Sequence, residues 1–212
     1  MIRDQLLSRG IKDEKILDAF RKVSRHRFVD PALRQDAYSD FPLSIGNVQT
    51  ISQPYIVALM VQLLEIKRSD NVLEIGTGSG YETAILAELA DKVFSIERID
   101  ILANKARRVL EELGYKGIII KVGDGTLGWQ EFAPFDKIVV TASAEKVPAP
   151  LLEQIKEGGR LVIPVGPRFT QTLMLLEKTG KGYITEKGIC GCTFVPLIGR
   201  YGWRDDIARK DI

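Results

Sequence analysis

Residues Asn71–Ile75, NVLEI, form a short apolar run holding one acid, Glu74, and Gly76, Gly78 and Gly80 follow at alternate positions. Tyr81–Leu89 then carries apolar residues at helical spacing, with Ala84, Ile85, Ala87 and Leu89. A buried strand, a glycine turn and a helix in that order predict the nucleotide-binding corner of a doubly wound α/β sheet. Glycines suit the turn because they accept positive φ and let a ligand approach bare backbone. The spacing narrows the ligand. A dinucleotide fingerprint wants its third glycine three residues after the second, and that position is Tyr81. Glu74 sits just before the turn, where a pyrophosphate would meet a like charge and a cation would be favoured. The sulfonium and ammonium groups of S-adenosylmethionine are such cations. The next apolar run ends in Glu97, an acid placed to accept hydrogen bonds from both ribose hydroxyls.

From Asn71 onward strand and helix patterns alternate. Strands are expected at Asn71–Ile75, Lys92–Glu97, Gly117–Val122, Phe135–Thr141 and Gly159–Pro164, with helices near Gly80–Ala90, Asp100–Leu113 and Pro150–Glu157. Such alternation implies a parallel sheet covered on both faces. Gln171–Lys178 and Tyr183–Leu197 are extended runs with a Gly-Lys-Gly turn between them and no room for a crossover helix, so they should close one edge as an antiparallel hairpin. The expected fold is therefore α/β, a doubly wound, mostly parallel seven-stranded sheet of the Rossmann-like class I methyltransferase type. Residues 1–66 read as an N-terminal helical region packed on the core, with helices at Ile2–Arg9 and Asp13–Val23, a short helix or turn from Asp30-Pro31, an irregular stretch at Ala37–Asn47, and a nearly all-apolar helix over Gln53–Ile66. Residues 67–198 read as the core and 199–212 as a polar terminal segment, within a single domain.

The 212 residues carry 30 basic and 28 acidic side chains, closely interspersed, for a net charge of +2. That balance offers no footprint for a nucleic acid. The basic clusters at Arg21–Arg27 and Lys105–Arg108 read as solvated helix faces. No apolar run is long enough to cross a bilayer, and the charged N-terminus does not resemble a signal peptide. Cys190 and Cys192 are read as free thiols in a reducing cytoplasm, since bridging alternate residues of one strand is strained. His26 is the single histidine, so neither a metal site nor a histidine base is expected.

In a doubly wound sheet the ligand sits beyond the carboxyl ends of the strands. Four loops meet there. The turn Gly76–Gly80, including Thr77, can hold the amino-acid part of S-adenosylmethionine, and Glu97 the ribose. Asp124, in Gly123-Asp124-Gly125, can meet the adenine amino group. Thr141-Ala142-Ser143 is small enough to leave the transferred methyl open to an acceptor. The chain lacks the Asn/Asp-Pro-Pro-aromatic turn used for amide and base nitrogens, and a cysteine near that place for cytosine carbon. The acceptor should then be a good nucleophile already. A carboxylate, with a pKa of about 4, is anionic at neutral pH and needs positioning rather than deprotonation.

Ser44–Tyr55, SIGNVQTISQPY, precedes the apolar helix. Capping by Ser52 or Gln53 with Pro54 in the first turn explains one hydroxyl but not Gly46, Gln49, Thr50 and Ser52 together. Here the chain resembles the protein-L-isoaspartate (D-aspartate) O-methyltransferase family. The resemblance runs through VSRHRFVDP (23–31), AYSDFPLSIG (37–46), QTISQPY (49–55), VLEIGTGSGY (72–81), GDGTLGW (123–129), FDKIVVTAS (135–143), GGRLVIPVG (158–166) and FVPLIG (194–199). It implies Ser52 at the active site, Thr50, Ile51, Ser52 and Val195 on the substrate, and Glu74, Gly76, Thr77, Gly78, Glu97, Asp124, Gly125 and Thr141 on S-adenosylmethionine, with S-adenosylhomocysteine as product and no metal. It implies methylation of L-isoaspartyl residues of damaged proteins and peptides, with D-aspartyl residues as a further candidate substrate; a monomer with no nucleic-acid or membrane partner is expected. His26 belongs to its N-terminal motif and is read as structural. Asn47-Val48 stands where His-Gly is usual, and SAEKVP replaces the commoner loop after Thr141. The same sheet could serve a methyltransferase for a small molecule or RNA, or a binding module without transfer. The near-neutral charge speaks against RNA, and QTISQPY against a generic small-molecule enzyme.

Overall fold

The computed structural model describes residues 1–204. A seven-stranded sheet forms its middle, in the order β5-β4-β3-β6-β7-β8-β9. The strands are β3 (Asn71–Ile75), β4 (Lys92–Glu97), β5 (Ile118–Val122), β6 (Phe135–Val140), β7 (Ile155–Val165), β8 (Gln171–Lys178) and β9 (Ile184–Cys192). β5 to β7 pair in parallel, and β8 and β9 add the antiparallel hairpin at one edge. α3 (Tyr81–Leu89), α4 (Asp100–Glu112) and α5 (Ala149–Gln154) make the crossovers. The strand order departs in opposite directions from β3 toward β4 and β6, and that divergence opens a crevice at the strands' carboxyl ends.

Period-two alternation divides the core. Val72 and Val139 face one layer together with α2 (Pro54–Leu64), α3, and Leu6, Leu17 and Phe20 of the N-terminal region. Leu73, Ile75, Ile138 and Val140 face the other, against Trp129, Phe135 and Leu151. The N-terminal region thus shares one continuous core with the sheet. α2 is the helix expected to have little polar face, and Val57, Ala58, Met60, Val61 and Leu64 are buried.

Four boundaries differ from the sequence reading. Ile2–Leu6 is a π turn followed by a 3-10 turn at Leu7–Arg9, not one α-helix. α5 stops at Gln154 and the chain enters β7 at Ile155, with the register shift of β6 against β7 absorbing the extra residues before Gly159. β9 ends at Cys192, leaving Phe194–Leu197 as a separate extended segment. Of the terminal segment, Gly199–Trp203 packs on the core and Trp203 is buried, whereas 205–212 lie outside the described residues.

The stretch expected to be irregular contains a small hairpin. β1 (Leu43–Gly46) pairs with β2 (Gln49–Ile51), and the two-residue turn Asn47-Val48 has positive φ at both positions, 53° and 59°. Hairpin turns of this hand match the twist of their strands but call for Gly at the second place. Val48 is β-branched and exposed there, so its backbone conformation is strained without compensating burial. Val48→Gly is expected to stabilise the protein by about 1 kcal/mol, read as a higher urea midpoint at unchanged slope. A lower midpoint would show that the turn is not strained by its side chain.

Candidate active site

A cleft of about 810 Å³ occupies the crevice. It is walled by Gly76–Ser79 after β3, Glu97–Ile99 after β4, Gly125 after β5, Thr141 and Ala142 after β6, Gln49–Ser52 from the hairpin, Tyr81 and Glu82 of α3, and Val195–Ile198. Its glycine turn is clamped from two sides. The Thr141 hydroxyl donates to the carbonyls of Ile75 (3.0 Å) and Gly76 (2.8 Å), and the Gly78 N–H donates to Glu97 Oε2 (2.8 Å). Gly76 has φ 101°, and a Cβ there would overlap the Thr141 hydroxyl. Glu97 Oε1 also accepts from Ile99 N–H (2.9 Å), which fixes the carboxylate at the mouth of β4 with lone pairs left on both oxygens.

A second groove of about 600 Å³ adjoins the cleft, lined by Pro42, Gln53, Ile56 and Gly191–Phe194. Thr50, Ser52, Thr141 and Val195 line both spaces. Among the described residues no charged side chain lines this groove, whereas Glu82, Glu97 and Arg98 line the cleft. Acidic groups therefore stand on one side of Ser52 and are missing on the other.

Ser52 is not the helix cap: Gln53 holds that place, without a side-chain capping bond, and Pro54 opens α2. Its position is set by neighbours that the sequence reading did not single out. Arg25 is fully buried and donates to the carbonyls of Ser52 (2.8 Å) and Ala37 (2.7 Å), with its guanidinium 4.8 Å from the Tyr81 ring centre. This corrects the reading of Arg21–Arg27 as a solvated face. Burial lowers the Arg25 pKa to about 10, which leaves it a cation at neutral pH behind Ser52. Asp40 accepts from the Gln53 amide (2.8 Å) and from Arg9 (2.8 Å), tying AYSDFP to QTISQPY. Ser143 stitches the Phe194–Leu197 segment to β6: its N–H donates to Val195 O (2.8 Å) and its carbonyl accepts from Leu197 N–H (2.7 Å). His26 Nδ1 pairs with the Tyr38 hydroxyl at 2.6 Å, away from the cleft walls.

Two residues expected on the cofactor are held by protein partners. Asp124 is not on the cleft wall; its oxygens accept from Thr126 N–H (2.9 Å), the Thr126 hydroxyl (2.7 Å) and Arg200 N–H (2.8 Å), while Gly125 beside it forms the wall. A Cβ on Gly199 would overlap its carboxylate, so the terminal segment lies over it. Glu74 is fully buried beneath the turn, where Oε2 accepts from the hydroxyls of Thr83 (2.6 Å) and Ser95 (2.5 Å), and Ser95 meets Thr77. Burial raises its pKa to about 8 despite those hydroxyls, so at neutral pH its charge does not face the cleft. Thr77 shares this network, and Gly76, Gly78, Glu97, Gly125, Thr141, Thr50, Ile51, Ser52 and Val195 all stand on the cleft wall.

The donor set fits S-adenosylmethionine. A glycine turn lies along one side, the fixed carboxylate of Glu97 stands at the end of β4, and a buried acid, Glu82, has an oxygen without a partner among the described residues. Among the described residues no group of three or more His, Cys, Asp or Glu could hold a metal.

The family model described as protein-L-isoaspartate(D-aspartate) O-methyltransferase matches residues 1–202. A protein-L-isoaspartate O-methyltransferase 1 of Syntrophobacter fumaroxidans is 57% identical over 96% of this chain and 94% of its own. A protein-L-isoaspartate O-methyltransferase of Geobacter metallireducens is 55% identical over the same shares, 96% and 94%. Among solved structures, a protein-L-isoaspartate O-methyltransferase superposes with TM-score 0.83 at 30% identity, over 95% of this chain and 67% of that one. A Plasmodium falciparum chain described as a protein-L-isoaspartate O-methyltransferase, in complex with S-adenosyl-L-homocysteine, gives TM-score 0.79 at 26% identity, over 93% and 96%.

The raised Glu74 pKa carries a stability consequence. The folded state keeps this proton up to about pH 8, whereas an unfolded glutamate releases it near 4.5. The folded state then binds more protons, so this contribution is complete below about pH 4.5 and is lost as pH rises to about 8. Glu74→Gln should flatten the decline of thermal stability across that window. Identical pH profiles for the two proteins would show that Glu74 is ionised in the fold.

Proposed function

We propose that this chain, which belongs to the protein-L-isoaspartate(D-aspartate) O-methyltransferase family, methylates the free α-carboxylate of isoaspartyl residues in damaged proteins and peptides. The observation that carries this reading is Ser52 on the boundary of two spaces, the acidic cleft and the uncharged groove. S-adenosylmethionine bound in the cleft supplies an electrophilic methyl group on a sulfonium, and S-adenosylhomocysteine is left as product. Gly76, Thr77, Gly78 and Gly125 present backbone to it, Glu97 accepts from the ribose hydroxyls, and Thr141 holds the turn in shape. Asp124 flanks Gly125 on the wall, and Glu74 forms the floor of the turn, so both shape the backbone that meets the cofactor.

On the other side Thr50, Ile51, Ser52 and Val195 receive the peptide. An isoaspartyl linkage leaves the α-carboxylate free, and that anion enters a groove with no acid to repel it. Ser52 donates a hydrogen bond to one carboxylate oxygen, and the buried Arg25 cation behind it supports the negative charge. No base is required, because the carboxylate is ionised already. Attraction between an anion and a sulfonium fades as the bond forms, so alignment by fixed groups supplies most of the acceleration. The amide nitrogen of the following residue attacks the methyl ester carbonyl and expels methanol, so the succinimide re-forms, and water reopens it in part to normal aspartate. Free thiols at Cys190 and Cys192 support a reducing cytoplasm as the place of work.

Incubation with methyl-labelled S-adenosylmethionine and matched isoaspartyl and aspartyl peptides tests the reading. Base-labile label on the isoaspartyl peptide alone is the expected result; label on RNA, or binding with no transfer, would overturn it. Ser52→Ala should lower kcat on the isoaspartyl peptide by about tenfold or more, the size of one charged hydrogen bond, with S-adenosylmethionine affinity nearly unchanged. Equal losses in both would place Ser52 wrongly. Glu97→Ala should instead weaken S-adenosylmethionine binding by about tenfold or more, and an unchanged dissociation constant would take it off the ribose.

A further inference from the structure

Glu82 is the acid on the cleft wall that the reading above leaves without a task. It stands in the first turn of α3 and is only 7% exposed, and its Oε1 has no hydrogen-bond partner among the described residues. A buried carboxyl with one oxygen unspent is costly unless something arrives to use it. Position says what arrives. Glu82 shares its wall with Gly76–Ser79, the stretch of bare backbone beside which the amino-acid end of the cofactor lies, and with Tyr81 and Val57, which offer no charge to an anion. The cofactor's own carboxylate would be repelled by an ionised Glu82 and would seat against a protonated one with no proton released, an outcome that calorimetry separates. Its sulfonium has no N–H to donate. Its α-ammonium has three donors and a full charge.

We infer that Glu82 is the residue that receives the α-ammonium group of S-adenosylmethionine, an assignment that rests on the cofactor reading above. Its surroundings make the contact conditional on charge. Burial is the larger cause of the raised Glu82 pKa, and Glu74 on β3 raises it further once Glu74 itself is ionised. The Tyr81 hydroxyl is adjacent and stays neutral well above physiological pH. The Arg25 guanidinium faces the Tyr81 ring and donates to two carbonyls, with Nη1 left without a hydrogen-bond partner among the described residues, and Glu97 and Arg98 line the same cleft. In the empty cleft burial therefore favours the protonated form of Glu82. An entering ammonium favours the ionised form, so the proton leaves to solvent as the ligand seats.

Two ligands separate this contact from the rest of the site: S-adenosylhomocysteine, which carries the ammonium, and 5′-methylthioadenosine, which keeps the adenosine and sulfur but lacks the amino-acid end. Calorimetry near neutral pH in buffers of different ionisation enthalpy should show about one proton released on binding S-adenosylhomocysteine and none on 5′-methylthioadenosine, following linkage. In Glu82→Gln the S-adenosylhomocysteine dissociation constant should rise about tenfold or more, the proton release should vanish, and 5′-methylthioadenosine should bind as before, which also reports that the variant is folded. Proton release that persists in Glu82→Gln, or equal affinity changes for both ligands, would overturn the assignment. Wild-type protein that releases no proton with either ligand would overturn it without any variant. If the wild type bound neither ligand, the cofactor reading itself would fall; if it bound both and only the Glu82 results failed, that reading would stand.

Discussion

The Thr141 hydroxyl holds the site open. It donates to the last carbonyl of β3 and to the carbonyl of Gly76, so the two parallel strands part at a fixed angle and the glycine turn cannot collapse between them. Only glycine fits at position 76, because φ is positive and a Cβ would strike that hydroxyl. Glu97 secures the far limb of the same turn through Gly78 N–H. From these bonds follow the shape of the cleft, the exposure of bare backbone along it, and the place of Tyr81 and Glu82 one helical turn on.

The second organising feature is how charge is kept apart. Acids gather beneath and beside the glycine turn, while the groove past Ser52 carries none among the described residues. Arg25, buried behind Ser52, contributes a cation without entering either space. A buried guanidinium is expensive to desolvate, and here it is offset by two carbonyls and an aromatic face rather than by a paired carboxylate. A paired acid would cancel its field at Ser52. The unpaired arrangement suits a site that must bring an anion to a cation.

The sheet was largely legible because its signals are local: apolar runs, glycine turns and helical spacing around Asn71–Tyr81 state the fold without long-range information. The β1–β2 hairpin was not legible. Its strands are too short for alternation to register, and Val48 stands where such a turn normally shows glycine. Of the site, Gly76, Glu97, Thr141 and Ser52 could be placed by their positions at strand ends and at a helix start. Arg25 was misjudged because a basic run looks the same in sequence whether it is solvated or stacked on Tyr81. The protein partners of Asp124 and Glu74 are not legible, because a turn aspartate and a strand-end glutamate carry no mark of them, and Arg200 and Ser95 come from distant segments. Glu82 went unread for the same reason: an acid in a helix's first turn has an ordinary explanation as a helix-dipole partner, and only its burial sets it apart.

The central claim is that Ser52 is where the two ligands meet. A crystal structure of the protein with S-adenosylhomocysteine and an isoaspartyl peptide tests it most directly. The account expects the sulfur in the cleft, the free α-carboxylate in the groove, and Ser52 Oγ within about 3 Å of a carboxylate oxygen. A carboxylate bound elsewhere on the chain, with Ser52 facing solvent or the cofactor alone, would contradict it.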